Sequence, residues 1–150
     1  MSQFKDQIHR FCMQVIGEKL AVYRQDLAEL QFSANEETKS SMGDKYETSR
    51  EMLQQEIDKI SKQLSETIRM KQTLANVTPP KHDKIGMGSL VITDKGSFYI
   101  TVSLGQLKME EFQLVVISPA APLARLMMGL SVGDHFEFNQ KKYMVTEVIN

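Results

Sequence analysis

Tryptophan is absent from this chain, and cysteine occurs once, as Cys12. One cysteine excludes an internal disulfide, which suits a reducing compartment. Between residues 3 and 39 there is no proline, and the only glycine is Gly17. Long apolar runs are missing as well. The opening MSQFKDQIHRF holds none long enough for a signal peptide, and no segment approaches the ~20 apolar residues of a membrane span. The expectation is a soluble, cytoplasmic protein with no membrane role. An excess of one charge is also lacking: 18 basic residues face 19 acidic ones, for a net charge of −1. Residues 1–80 carry 11 basic and 12 acidic side chains, and residues 81–150 carry 7 of each. Neither half is a polycation, so long-range capture of nucleic acid is not indicated. No Gly-x-Gly-x-x-Gly or P-loop string occurs. His9, His82 and His135 show no metal-ligand spacing among themselves or with Cys12. Cys12 lies beside Phe11 next to an apolar stripe, where a buried, inert thiol is expected rather than a nucleophile.

What is present is periodicity. The chain has 150 residues and 41% hydrophobic content, enough for a real core. Phe4, Ile8, Phe11 and Val15 follow a 4-3-4 spacing. Ile16, Leu20, Tyr23, Leu27, Leu30 and Ala34 continue it, shifted by one residue. This predicts a helix seam of coiled-coil type with a slip near Gly17, marking a local irregularity or a change of partner surface. From about Tyr46 to Ala75 a second seam runs through Leu53, Ile57, Ile60, Leu64, Ile68 and Leu74. Neither helix is apolar all round, so an antiparallel pair is expected, each covering the other's stripe.

Between them lies the polar break SSMGDKYETSRE, residues 40–51, with Asp44 and Glu47 three apart. Asp44 falls at or near the N-cap of the second helix, where a carboxylate accepts backbone N–H bonds. Thr78-Pro79-Pro80-Lys81 ends that helix. Three segments follow: a hairpin 1–78 with an acidic tip near 40–48, a linker 79–84, and a globular domain 85–150. In the last, the period changes to two. Strands are expected at 89–93, 98–104, 112–118, 135–138 and 143–149, with a tight turn at Asp94-Lys95-Gly96 and a short helix from Pro122 to Met128 closed by Gly129. The class is α+β, a coiled-coil hairpin followed by a small antiparallel sheet with one helix. The 10 methionines, Met127 and Met128 among them, are read as core filling.

Ser118-Pro-Ala-Ala-Pro122-Leu-Ala-Arg125-Leu-Met-Met-Gly-Leu-Ser-Val-Gly133-Asp134 resembles the C-terminal domain of the bacterial Gre-type transcript cleavage factors. Ser118, Pro122, Leu123, Ala124, Met127, Gly133 and Asp134 fall in place. Ala121 replaces the motif's second serine, and Leu126 stands where a small residue is usual. The tip resembles the same family's Gly-Asp-Leu-Ser-Glu-Asn: Gly43, Asp44 and Glu47 match, while Lys45, Tyr46 and Thr48 depart. Together the two resemblances cover nearly the whole chain.

The resemblance implies a C-terminal domain with the topology of the FK506-binding proteins. Isomerase activity is not expected, because those sites are lined with aromatics that this chain has few of. It implies binding to RNA polymerase, with the tip inserted into the secondary channel to stimulate cleavage of backtracked RNA. Asp44 would be the metal-directed residue and Glu47 its partner, holding Mg²⁺ jointly with the polymerase. The chain would be no enzyme and have no cofactor of its own. Pro122 and Leu123 would belong to the polymerase-binding surface, and the tip would meet the RNA 3′ end. Lys45 would neutralise the acids or contact RNA phosphate, and Tyr46 would stack on a base or cover the hairpin end. Two other readings remain open: a secondary-channel binder that inhibits polymerase or competes with cleavage factors, and a coiled-coil interaction protein without polymerase contact. Nothing in the pattern sets an oligomeric state.

Overall fold

The computed structural model describes residues 2–39 and 43–150, and side chains for 3–36 and 48–150. Two long helices, α1 (Ser2–Lys39) and α2 (Gly43–Ala75), form the hairpin. At 1.5 Å per residue, the 38 residues of α1 run to about 57 Å and the 33 of α2 to about 50 Å. Packing divides the chain into two compact units: Gln14–Lys71, and Met1–Met13 together with Gln72–Asn150. The division made at residue 78 follows proline punctuation, whereas these units follow contacts.

In the first unit, Ile16 and Leu20 are buried, and Tyr23, Leu27, Leu30 and Ala34 are half-buried. On α2, Leu53, Ile57, Ile60, Leu64 and Ile68 are half-buried in turn. Two helices are all that the described residues of this unit contain, so each stripe is covered by the other. Their outer faces carry i,i+4 pairs such as Gln14 to Glu18 at 3.2 Å and Gln54 to Asp58 at 2.9 Å.

No slip appears in the buried face at Gly17, because Ile8, Cys12, Ile16 and Leu20 are buried at an unbroken spacing of four. Upstream of Gly17, the buried line is Lys5, Ile8, Cys12 and Ile16, so Cys12 lies on the stripe and Phe11 and Val15 flank it. The first turns pack on the second unit's sheet, with Phe4 edge-on to Phe112 at 5.0 Å and His9 Nδ1 hydrogen-bonded to the Tyr99 hydroxyl at 2.8 Å. The face that these turns bury runs on along the helix without a shift.

The second unit contains β1 (Leu90–Thr93), β2 (Gly96–Ile100), β3 (Gly105–Met109), β4 (Phe112–Ile117), α3 (Pro122–Met127), β5 (His135–Phe138) and β6 (Lys141–Ile149). The strand order is β3-β4-β2-β1-β6-β5. Two expectations are corrected here. The segment 98–104 is not one strand: β2 stops at Ile100, and β3 begins at Gly105. The β-branched pair Thr101-Val102 reads as a strand, but it carries the chain out of β2. Nor is the sheet purely antiparallel. β4 inserts between β3 and β2 and pairs with β2 in parallel, Phe98 opposite Val115 and Ile100 opposite Ile117, which makes the sheet mixed.

Alternation gives the sheet two buried faces. Val91, Phe98, Ile100, Phe136 and Val145 gather with Ile85, Ala124 and Met127 of α3, and Val115 and Ile117 pack against them. The opposite face presents Leu90, Tyr99, Val116 and Ile149 as one cross-strand row, all buried. Each such side chain contributes about 1.5–3 kcal/mol. The β5–β6 turn has positive φ at both Asn139 (53°) and Gln140 (66°), the signature of a type I′ hairpin.

Candidate functional site

Asp44 and Glu47 lie in the opening turns of α2, which begins at Gly43. Their side chains, with those of Glu37, Lys45 and Tyr46, lie outside the described residues. Asp44 is thus one residue inside the helix start, still where the positive dipole end favours a carboxylate. Glu36 and Thr48, flanking the break, are exposed.

The 118–134 stretch is fully described, and each motif residue has a local task. The Ser118 hydroxyl accepts the Ala120 N–H at 3.1 Å, and the Ser118 carbonyl accepts the Ala121 N–H at 3.0 Å, forming the turn into α3. Ala121 is the N-cap, extended at φ −63° and ψ 144°, with no side-chain cap bond. An N-cap hydroxyl satisfies a free N–H of the first turn, and alanine forfeits about 0.5–2 kcal/mol there. Pro122 takes the first helical position, where its missing N–H costs nothing. Ala124 and Met127 are fully buried, and Leu123 packs against the core. Past the helix, the Gly129 N–H donates to the Ile85 carbonyl at 2.8 Å. The Asp134 carboxylate accepts the Ser131 N–H at 2.8 Å, closing a turn in which Gly133 has φ +93°. The motif is therefore first a set of instructions for a turn, a short helix and a second turn.

Those instructions also expose an apolar rim. Pro122 is exposed, as are Leu126 (43%), Met128 (39%) and Val132 (59%). Pro122 and Leu126 share a helix face at i,i+4. Sequence reasoning named Pro122 and Leu123 here and missed Leu126, Met128 and Val132. Met128 is not core filling: only Met127 of the pair is buried, and Met52 and Met144 are exposed too. The helical period starting from Pro122 would have placed Leu126 outside.

Other chemistry is sparse. No group of three or more His, Cys, Asp or Glu side chains among the described residues is arranged to hold a metal. Cys12 is buried, and burial pushes its thiol up to about 12, leaving no thiolate for nucleophilic work. His82 Nδ1 accepts the Lys84 N–H at 3.0 Å. No helix among the described residues is long and apolar enough to cross a membrane.

The class these observations define is α+β: a long helical hairpin followed along the chain by a six-stranded mixed sheet with one short helix. Among solved structures, it is similar to the crystal structure of GreA factor homolog 1 (Gfh1) of Thermus thermophilus. The identity is 18% and the TM-score 0.36, over 92% of this chain and 94% of that one. A second structure, of the transcription factor Gfh1, is similar at the same identity and TM-score, over 92% of this chain and 93% of that one. No family model matches the chain, and no curated protein does.

Proposed function

We propose that this chain is a transcription elongation factor of the Gre type. It binds RNA polymerase through the globular unit, presents the hairpin tip to the secondary channel, and stimulates cleavage of backtracked RNA by the polymerase. The observation that carries the reading is the 118–134 stretch. Seven residues at fixed spacing across its seventeen positions resemble the family motif, and the stretch builds a turn, helix and turn that leave Pro122, Leu126, Met128 and Val132 exposed. A helix pair of roughly 50 Å supplies the reach.

Asp44 and Glu47 are the hard oxygen donors that Mg²⁺ prefers, so their chemistry fits that ion. Two carboxylates alone make a weak site, and the ion is held jointly with the polymerase's own acids. What it supplies is stabilisation of charge on the attacking and leaving oxygens of the phosphodiester. The chain's own part is to deliver the two acids.

The test is cleavage in backtracked elongation complexes with wild-type protein, Asp44→Ala and Glu47→Ala. Cleavage by wild type, reduced at least about a hundredfold in each variant, is the expected outcome. Binding without cleavage assigns the chain to inhibitors or competitors of cleavage factors, a reading that Lys45 and Tyr46 between the acids favour. Failure to associate with polymerase removes both readings and leaves a coiled-coil interaction protein.

A further inference from the structure

Lys5 is in the wrong place for a lysine. It lies in the first turns of α1, where the helix dipole disfavours a cation. It is only 8% exposed, on the same stripe as Ile8 and Cys12. Among the described residues, its ammonium has neither a hydrogen bond nor an ion pair. Its aliphatic stem is covered while its ammonium keeps access to solvent, so the charge is held at one place without a fixed partner.

Lys5 lines a pocket of about 180 Å³ together with Asp6, His9, Val77, Pro79, Gly88 and Tyr99. The ammonium is not sealed off from solvent, since the only fully enclosed polar side-chain atom lacking a partner among the described residues is Thr101 Oγ1. His9 lines the same pocket, with its Nδ1 2.8 Å from the Tyr99 hydroxyl. Burial pushes the ionisation of the Tyr99 phenol up, so it keeps its proton. In the tautomer where that phenol donates to Nδ1, the imidazole hydrogen sits on Nε2 and is a second donor. Asp6 is the one acid on the lining. It is exposed, at the helix end where a carboxylate belongs, and its attraction does not offset the desolvation of Lys5. Pro79 and Val77 give the pocket a low-dielectric wall, which strengthens any ion pair formed within it.

We propose that this pocket binds a small oxyanion, a carboxylate or phosphate group, held by the Lys5 ammonium with His9 as second donor. The bound group adds counter-charge at the ammonium, where the attraction of Asp6 does not offset desolvation. It joins the first turns of α1 to strand β2 through His9 and Tyr99, so occupancy stabilises this unit by mass action.

Full-length protein is titrated calorimetrically at about pH 7 with sodium phosphate and separately with sodium acetate, ionic strength being held constant with chloride. Thermal unfolding is followed in the same buffers. One anion or both should bind and raise Tm, the tighter of the two identifying the group. Lys5→Met should fold with a Tm at least equal to wild type in chloride, because an apolar isostere replaces an unpaired cation. It should bind the anion at least about tenfold more weakly. Asp6→Asn should bind about threefold more tightly, having lost the opposing charge. Lys5→Gln repeats the comparison with a neutral polar side chain in case Lys5→Met does not fold. The proposal is overturned if neither anion binds wild type, or if the Lys5 variants keep the wild-type anion dependence.

Discussion

His9 shows how much a single position owes to its neighbours. Its imidazole is held below the ordinary value of 6.5, first because burial strips water from the charged form and second because Lys5 repels it, with Asp6 pulling the other way. A base that holds its proton less firmly when folded stabilises the fold fully above its unfolded value. That contribution is lost as pH falls from 6.5 toward the depressed folded value. Urea midpoints for wild type should therefore drop between about pH 7 and pH 5 more steeply than those of His9→Gln, while Tyr99 stays protonated throughout. A parallel pH dependence in the two proteins would refute this. Part of the neighbourhood was legible in the sequence: Cys12 was read as a buried, inert thiol and is one. Lys5 was not. Its spacing from Ile8 and Cys12, three and then four residues, is the helical period itself, but a lysine within that period reads as solvated face until a sheet is seen against it.

At the scale of the element, two glycines separate what local pattern decides from what packing decides. Gly17 lies inside α1, and a Cβ there would meet nothing within 4 Å. Gly17→Ala should raise stability by about 0.5–1 kcal/mol through backbone entropy alone. Gly88 has φ +93°, and a Cβ there would stand 3.0 Å from Pro79 Cα, a backbone atom that cannot step aside. Gly88→Ala should cost about 1–3 kcal/mol. Chemical denaturation of both variants checks the pair, and equal effects would contradict the assignment. The two helix seams were readable because each helix needs only one stripe, and a stripe is a sequence property. β3 was not readable. Gly105 to Met109 is an edge strand of exposed and half-buried residues, with little apolar alternation to mark it, and the turn before it hides in a β-branched run.

At the scale of the whole molecule, the exposed rim is the surface to which the proposed function assigns the polymerase contact. Replacing Leu126 and Val132 together by Glu should weaken association with RNA polymerase at least about tenfold. Tm should scarcely change, because both residues are exposed. Binding affinity and thermal unfolding of the double variant decide it, and unimpaired binding would remove this surface from the interface. The sequence by itself determined the two-helix seam, a break between the helices (shorter than 40–51, since α2 already begins at Gly43), the proline stop and the turn–helix–turn of 118–134, because each depends on neighbours within a few residues. Only the tertiary structure decided that β4 pairs in parallel with β2, that α1 divides its length between two units, and that the stem of Lys5 is covered. Those outcomes depend on which distant surfaces meet, and periodicity records that a residue is covered without recording by what.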